Sequence, residues 1–207
     1  MTLNPLICVG CGEWTDSPVV SGGFLVCAVC GHREPFRRLP LFAVTGPSGT
    51  GKSTICRLLP DLLGDRAVVL EQDLLWIGAL RDPAGDFATF RQTWLRLAAT
   101  VHQSGRPVVL CGTVVPPQFE HRPERPLFSA IHYLALTCAD DTLRARLAAR
   151  PAWREWSAPR IAEMVDFNHW IRTNAPLTTP PMTLLDTTDR PVADTAAQVA
   201  AWIGEHR

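Results

Sequence analysis

The chain has 207 residues, a length suited to one sizeable domain with a small appendage rather than to two full domains. With 46% hydrophobic and 19% charged residues and a formal net charge of zero, it has an ordinary globular composition, which speaks against a whole-surface attraction to nucleic acid or anionic membrane. No stretch approaches the ~20 consecutive apolar residues that span a bilayer, and the first residues lack the basic start and apolar run of a signal peptide, so a cytoplasmic protein without membrane contact is expected.

Residues 1–36 read as a small unit of their own. Two C-x2-C pairs, Cys8 with Cys11 and Cys27 with Cys30, are separated by residues 12–26, a spacing in the range of four-cysteine zinc sites. Gly12 and Gly31 follow the pairs and permit the tight turns that aim backbone N–H groups at thiolates. Four thiolates close the coordination shell, so the expected ion is a structural Zn2+ in a zinc ribbon, with no open position for catalysis. Trp14, Arg33, Arg37 and Arg38 offer little aromatic and basic surface for nucleic acid, and a stabilising or docking role is expected. Residues 34–38 read as a short linker. Cys56, Cys111 and Cys138 stand at apolar positions, as buried unreactive thiols do.

From Leu39 onward, short apolar runs alternate with longer amphipathic segments, the pattern of parallel α/β structure. Strands are predicted over 41–45, 67–71, 107–111, 130–136 and 182–186, and helices over 52–63, 87–103, 141–149, 158–173 and 192–206. Residues 37–207 are accordingly expected to form a three-layer α/β/α domain on a mainly parallel five-stranded sheet. The proline-rich pieces at 116–117, 123–126 and 176–181 read as loops.

Between the first of these strands and the first helix, Gly46-Pro47-Ser48-Gly49-Thr50-Gly51-Lys52-Ser53 fits G-x-x-x-x-G-K-[ST] at every fixed position. Its glycines let successive N–H groups turn inward around an anion, and the helix start adds the positive end of its dipole. Lys52, the only lysine among the 20 basic residues, is placed to reach the outer phosphates, and the Ser53 hydroxyl to ligate magnesium. The segment from Gly46 to Thr54 is therefore expected to bind ATP with Mg2+.

Three later segments carry a resemblance in the right order. Val68-Val69-Leu70-Glu71-Gln72-Asp73 ends a strand on acidic residues, Val108-Val109-Leu110-Cys111-Gly112-Thr113 ends one in a small-residue turn, and Asp140 to Pro151 is an arginine-bearing helix. Over about residues 40–205 the chain resembles the small-molecule kinases related to nucleoside monophosphate kinases: gluconate, shikimate and adenylylsulfate kinases and chloramphenicol phosphotransferase. The resemblance implies a P-loop kinase that moves the γ-phosphoryl group of ATP to a hydroxyl or phosphate of a small molecule, whether nucleoside, nucleotide, sugar or antibiotic. The alternatives are a polynucleotide-end kinase or nucleotide-dependent nucleic-acid-binding protein gripping through the ribbon, and a non-catalytic regulatory module.

Asp73, at the carboxyl end of a predicted strand, is the candidate to accept or orient the acceptor hydroxyl's proton, or to hold magnesium through water; its other reading is a helix N-cap. Glu71 is the second carboxylate. Among Arg144, Arg146, Arg150 and Arg154, Arg150 and then Arg146 are the candidates to close over the phosphates, against the alternative of a solvated basic face. The strand at 107–111 ends without a magnesium-holding aspartate, which disfavours motor or switch activity. Trp76, Phe87, Phe90 and Trp94, interleaved with Arg81, Arg91 and Arg96, are either an aromatic face for a ring-bearing acceptor or the core side of a helix through Phe90, Trp94 and Leu97. Asn168, His169 and Arg172 are polar positions within reach of a lid or acceptor.

Overall fold

The structure is a computed structural model and describes residues 4–207. Glycines at positive φ, Gly22 and Gly23, turn the chain between two short strands, β1 (Val19–Ser21) and β2 (Phe24–Val26). A third, β3 (Arg33–Pro35), completes an antiparallel sheet in the order β1-β2-β3. The stretch read as a linker is therefore part strand. Its alternation turns Glu34 and Phe36 inward, and both are buried. Phe36 N–H donates to Gly23 O (2.8 Å), and Gln103 clamps the main chain of Arg37, accepting from its N–H and donating to its carbonyl, each at 3.0 Å. Phe36 enters the main core, Val20 and Leu25 pack against that core, and β1 lies against the turn Arg125–Leu127. Burial of a side chain such as Phe36 contributes about 2 kcal/mol, enough to make this segment an anchor.

The second sheet contains β4 (Leu41–Thr45), β5 (Val68–Glu71), β6 (Val108–Cys111), β7 (Ile131–Thr137) and β8 (Met182–Asp186) in the order β5-β6-β4-β7-β8, with every pairing parallel. Alternation along β4 divides the core. Leu41 and Ala43 face α3 (Ala88–His102), α4 (Pro116–Phe119) and α6 (Ala158–Asn174), which contribute Phe90, Trp94, Phe119 and Ile171. Phe42 and Val44 face α1 (Lys52–Cys56), α2 (Leu59–Leu63) and α7 (Val192–Glu205), with Ile55, Leu59, Val199 and Ile203. This gives the three layers of a P-loop α/β/α fold. A smaller cluster joins α5 (Asp140–Ala148) to α6 through Leu143, Leu147 and Val165.

Further expectations change. The helix predicted over 52–63 is broken into α1 and α2, because Pro60 has no N–H to give and can stand only in the first turn of the second piece. Trp94 is fully buried core, but Leu97 is exposed; the inward face of α3 is Phe90, Arg91, Trp94, Leu95, Ala98 and Ala99. Among the described residues no helix is long and apolar enough to cross a membrane.

Candidate active site

β4 has later strands on both sides, so the chain winds outward in opposite directions and leaves a crevice at its carboxyl end. The phosphate loop occupies that crevice. Gly46 has φ +134°, and a Cβ there would lie 2.3 Å from Leu136 O, so no other residue fits. The Thr50 hydroxyl donates to Pro47 O (2.9 Å), while the Thr187 hydroxyl donates to Thr50 O (3.3 Å) from the loop after β8. Leu143 and Leu147 of α5 pack where a side chain on Gly49 would have to go. Gly46, Pro47 and Thr50 thus shape the loop from behind, whereas Ser48, Gly49, Gly51, Lys52, Ser53 and Thr54 line the cleft. The break after Cys56 costs little here, since a helix N-terminus acts through the free N–H groups of its first turn.

The cleft is closed from two sides. The ends of β5 and β6 bring Glu71, Asp73, Cys111, Gly112 and Thr113, and the segment beyond α5 brings Arg150 and Arg154. Asp73 lies in the 3-10 turn Gln72–Leu75, whose N-cap is Glu71 and which has no side-chain cap bond; the capping alternative for Asp73 does not hold. A Cβ on Gly112 would come within 2.3 Å of Gln72, and the absence of one lets Gln72 Oε1 accept from Thr113 N–H (2.7 Å), joining the two strand ends.

Lys52 donates to the carbonyls of Gly46 (2.6 Å) and Pro47 (3.0 Å). Burial draws its ammonium down to about 8; Asp73 opposes that shift and Arg150 reinforces it, so the three groups share one field. Burial, followed by the charge of Arg154, likewise lowers Arg150. Arg150 lies 5.4 Å from the Trp156 ring centre and Arg154 4.7 Å from that of Trp153, contacts that hold both guanidinium groups at the rim.

Arg146 is placed elsewhere. Its guanidinium donates to Thr187 O (2.8 Å), Thr187 Oγ1 (3.3 Å) and Thr188 O (3.2 Å), fastening α5 to the loop that props Thr50. The sequence pairs it with Arg150 as a candidate to close over the phosphates. However, α5 ends at Ala148, and Arg150 N–H bonds to Leu147 O in a tighter turn that redirects its side chain. Asn168, His169 and Arg172 are also structural: Asn168 and Arg172 donate to Cys138 O, and His169 meets Asp140 at 2.5 Å. Arg154 was counted in the sequence without being singled out, and Gln118 was missed, because a proline-rich stretch read as loop forms α4.

Beyond Asp73 lies a second cavity of about 310 Å³, lined by Gln72, Asp73, Trp76, Phe87, Phe90, Arg91, Thr113 and Gln118. Trp76 stands 5.2 Å from Phe87 and 5.1 Å from Phe90, centre to centre. Asp73 and Thr113 border both cavities.

In the N-terminal unit the sulfurs of Cys8, Cys11, Cys27 and Cys30 all lie within 4.8 Å of one another, with Cys8–Cys30 at 3.7 Å and Cys11–Cys27 at 3.8 Å. A Zn–S bond of about 2.3 Å in a regular tetrahedron requires S···S edges of about 3.8 Å, so the donor set fits zinc. Gly10 N–H donates to Cys8 Sγ (3.3 Å), and the N–H groups of Cys30 and Val29 pull the Cys27 thiol down to about 6.

A phosphate loop at the switch point of a parallel sheet defines a P-loop nucleotide-binding protein. Residues 43–166 match the family model described as "AAA domain" (AAA_18), and the chain belongs to this family. Similar solved structures include a gluconokinase from Sinorhizobium meliloti 1021 (18% identity, 82% of this chain and 97% of that one, TM-score 0.53). They also include a shikimate kinase from Acinetobacter baumannii in complex with shikimate (19%, 82% and 95%, 0.52) and the tRNA isopentenylpyrophosphate transferase BH2366 from Bacillus halodurans (12%, 81% and 96%, 0.52). These likenesses establish the shared fold. No curated protein matches the sequence.

Proposed function

We propose that the protein is an ATP- and Mg2+-dependent phosphotransferase acting on a hydroxyl group of a small molecule. One observation carries this reading: Asp73 faces Lys52 and Arg150 across the phosphate-loop cleft and also borders a separate, aromatic-walled cavity large enough for an acceptor. Gluconokinase and shikimate kinase among the structural neighbours support it as precedents for the fold. The loop N–H groups and Lys52 hold the phosphates of ATP, and Ser53 offers its hydroxyl to Mg2+, which when bound neutralises phosphate charge. Asp73 orients the acceptor hydroxyl and takes its proton as the acceptor oxygen bonds to the γ-phosphorus and the bond to ADP breaks. Arg150, with Arg154 beside it, stabilises charge on the moving phosphoryl group.

The ribbon, residues 1–36, is assigned a structural zinc on Cys8, Cys11, Cys27 and Cys30 and the role of bracing residues 37–207. The docking of Val20, Leu25 and Phe36 on the core supports that role. Two of the arginines in and beside it are poorly disposed to grip nucleic acid, since Arg38 donates to Phe128 O (2.7 Å) and Arg33 lies over Phe24. The test is phosphate transfer from ATP across a panel of hydroxyl-bearing acceptors. If no acceptor raises ADP formation above bare hydrolysis, and Asp73→Asn leaves turnover unchanged, the reading is wrong.

A further inference from the structure

We infer that the acceptor is an uncharged compound presenting a hydroxyl beside a flat heteroaromatic ring, that is, a nucleoside rather than a nucleotide or sugar acid. This rests on the phosphotransferase reading and identifies what its second cavity selects. Trp76, Phe87 and Phe90 form the wall, and aromatic faces of this kind bind planar π-systems with little regard for substituents.

The charges define the rest. Arg91 is buried and donates to Asp86 Oδ2 (2.7 Å) and to Asp86 O, and Arg122 lies 3.7 Å from the same carboxylate. Arg81 donates to Trp76 O (2.7 Å) with its guanidinium 5.1 Å from the Trp76 ring centre. Arg91, the cation that lines the cavity, is thus already paired with a carboxylate, and Asp73 adds a negative charge at its mouth. A carboxylate or phosphate entering there would lose water beside Asp73 and meet no unpaired cation in the lining, a cost that a neutral ring avoids. Gln118 and Thr113 line the cavity with uncharged polar side chains, which a base or a sugar can meet. With the ring against this aromatic wall, the hydroxyl on its neighbouring group reaches Asp73. Its oxygen forms the bond to the γ-phosphorus, ADP leaves, and the proton passes to Asp73.

The test gives the intact protein Mg-ATP with one of four acceptor sets: nucleosides, nucleoside 5′-monophosphates, gluconate or shikimate. ADP release and product mass are measured. The expected result is kcat/KM for at least one nucleoside tenfold or more above that for its 5′-monophosphate and for both acids. Trp76→Leu and Phe87→Leu should each raise the nucleoside KM at least tenfold with kcat within threefold, in variants whose circular dichroism is unchanged. Preference for a monophosphate, gluconate or shikimate overturns the acceptor class while leaving a phosphotransferase. If nothing is phosphorylated, quenching of tryptophan fluorescence by nucleosides without ATP decides the matter. Quenching lost in Trp76→Leu upholds the aromatic wall as the binding surface and overturns phosphate transfer; its absence in the wild-type protein overturns the inference.

Discussion

Lys52 offers the sharpest quantitative test of the nucleotide site. Its ammonium sits at about 8 in the free protein, where an exposed lysine would have 10.5, because burial outweighs the help it receives from Asp73. A triphosphate against the same nitrogen restores the charged form. The free protein therefore loses the Lys52 proton as pH rises through about 8, while the complex keeps it, and binding above that pH must take up a proton. Affinity for Mg-ATP should be flat below pH 7.5 and fall by about tenfold, or about 1.4 kcal/mol, at pH 9. Titration calorimetry in two buffers of different ionisation enthalpy measures both the affinity and the proton uptake. Lys52→Arg is the control, since a guanidinium stays charged throughout and its weaker binding should not change with pH. Equal pH profiles for the two proteins, or no proton uptake by the wild type at pH 9, would refute the assignment of Lys52 to the phosphates.

The two arginines of the α5 region should separate cleanly. Arg150→Ala should lower kcat/KM by tenfold or more with an unchanged melting temperature, whereas Arg146→Ala should cost about 1–3 kcal/mol of stability through its three lost hydrogen bonds; the reverse pattern in thermal melts and kinetics would contradict the placement. Elemental analysis should find one zinc per chain, and Cys11→Ser should remove it and lower the melting temperature by several degrees as the docking of Phe36 loosens; a metal-free, equally stable protein would sink the ribbon's bracing role. His102 is fully buried, accepts from Val108 N–H (3.1 Å), and is held by burial at about 4, below its ordinary 6.5. Its folded value is depressed, so stability is complete above pH 6.5 and falls by about 3 kcal/mol as pH drops toward 4. Urea melts should show a shallower acid slope in His102→Gln, and parallel slopes would exclude His102 as the cause.

What could be read in advance divides along a physical line. The loop from Gly46 to Ser53 was legible because each fixed position answers a local demand, a positive φ, a charge or a hydroxyl, with one or two residue types. The four cysteines were legible for the same reason, since spacing alone lets two turns face each other. Features set by where an element ends were less accessible. Arg146 and Arg150 share one helical pattern, yet the end of α5 at Ala148 sends them to different partners. Pro60 within an apolar repeat was a stop signal outweighed by the periodicity around it. Phe36 read as linker because its burial depends on a surface assembled from Val20, Leu25 and distant α3. Gln118 gave no signal at all, as only tertiary placement turns it toward Trp76.

A chain with a single lysine has confined its side-chain amine chemistry to the nucleotide site. At about 8, Lys52 is about one-tenth free base at pH 7, a fraction far above that of an ordinary lysine. Acylating agents that scatter over most proteins would modify one internal position here, and bound nucleotide would shield it. Any lysine acetylation of this protein would, by the same arithmetic, be an off-switch.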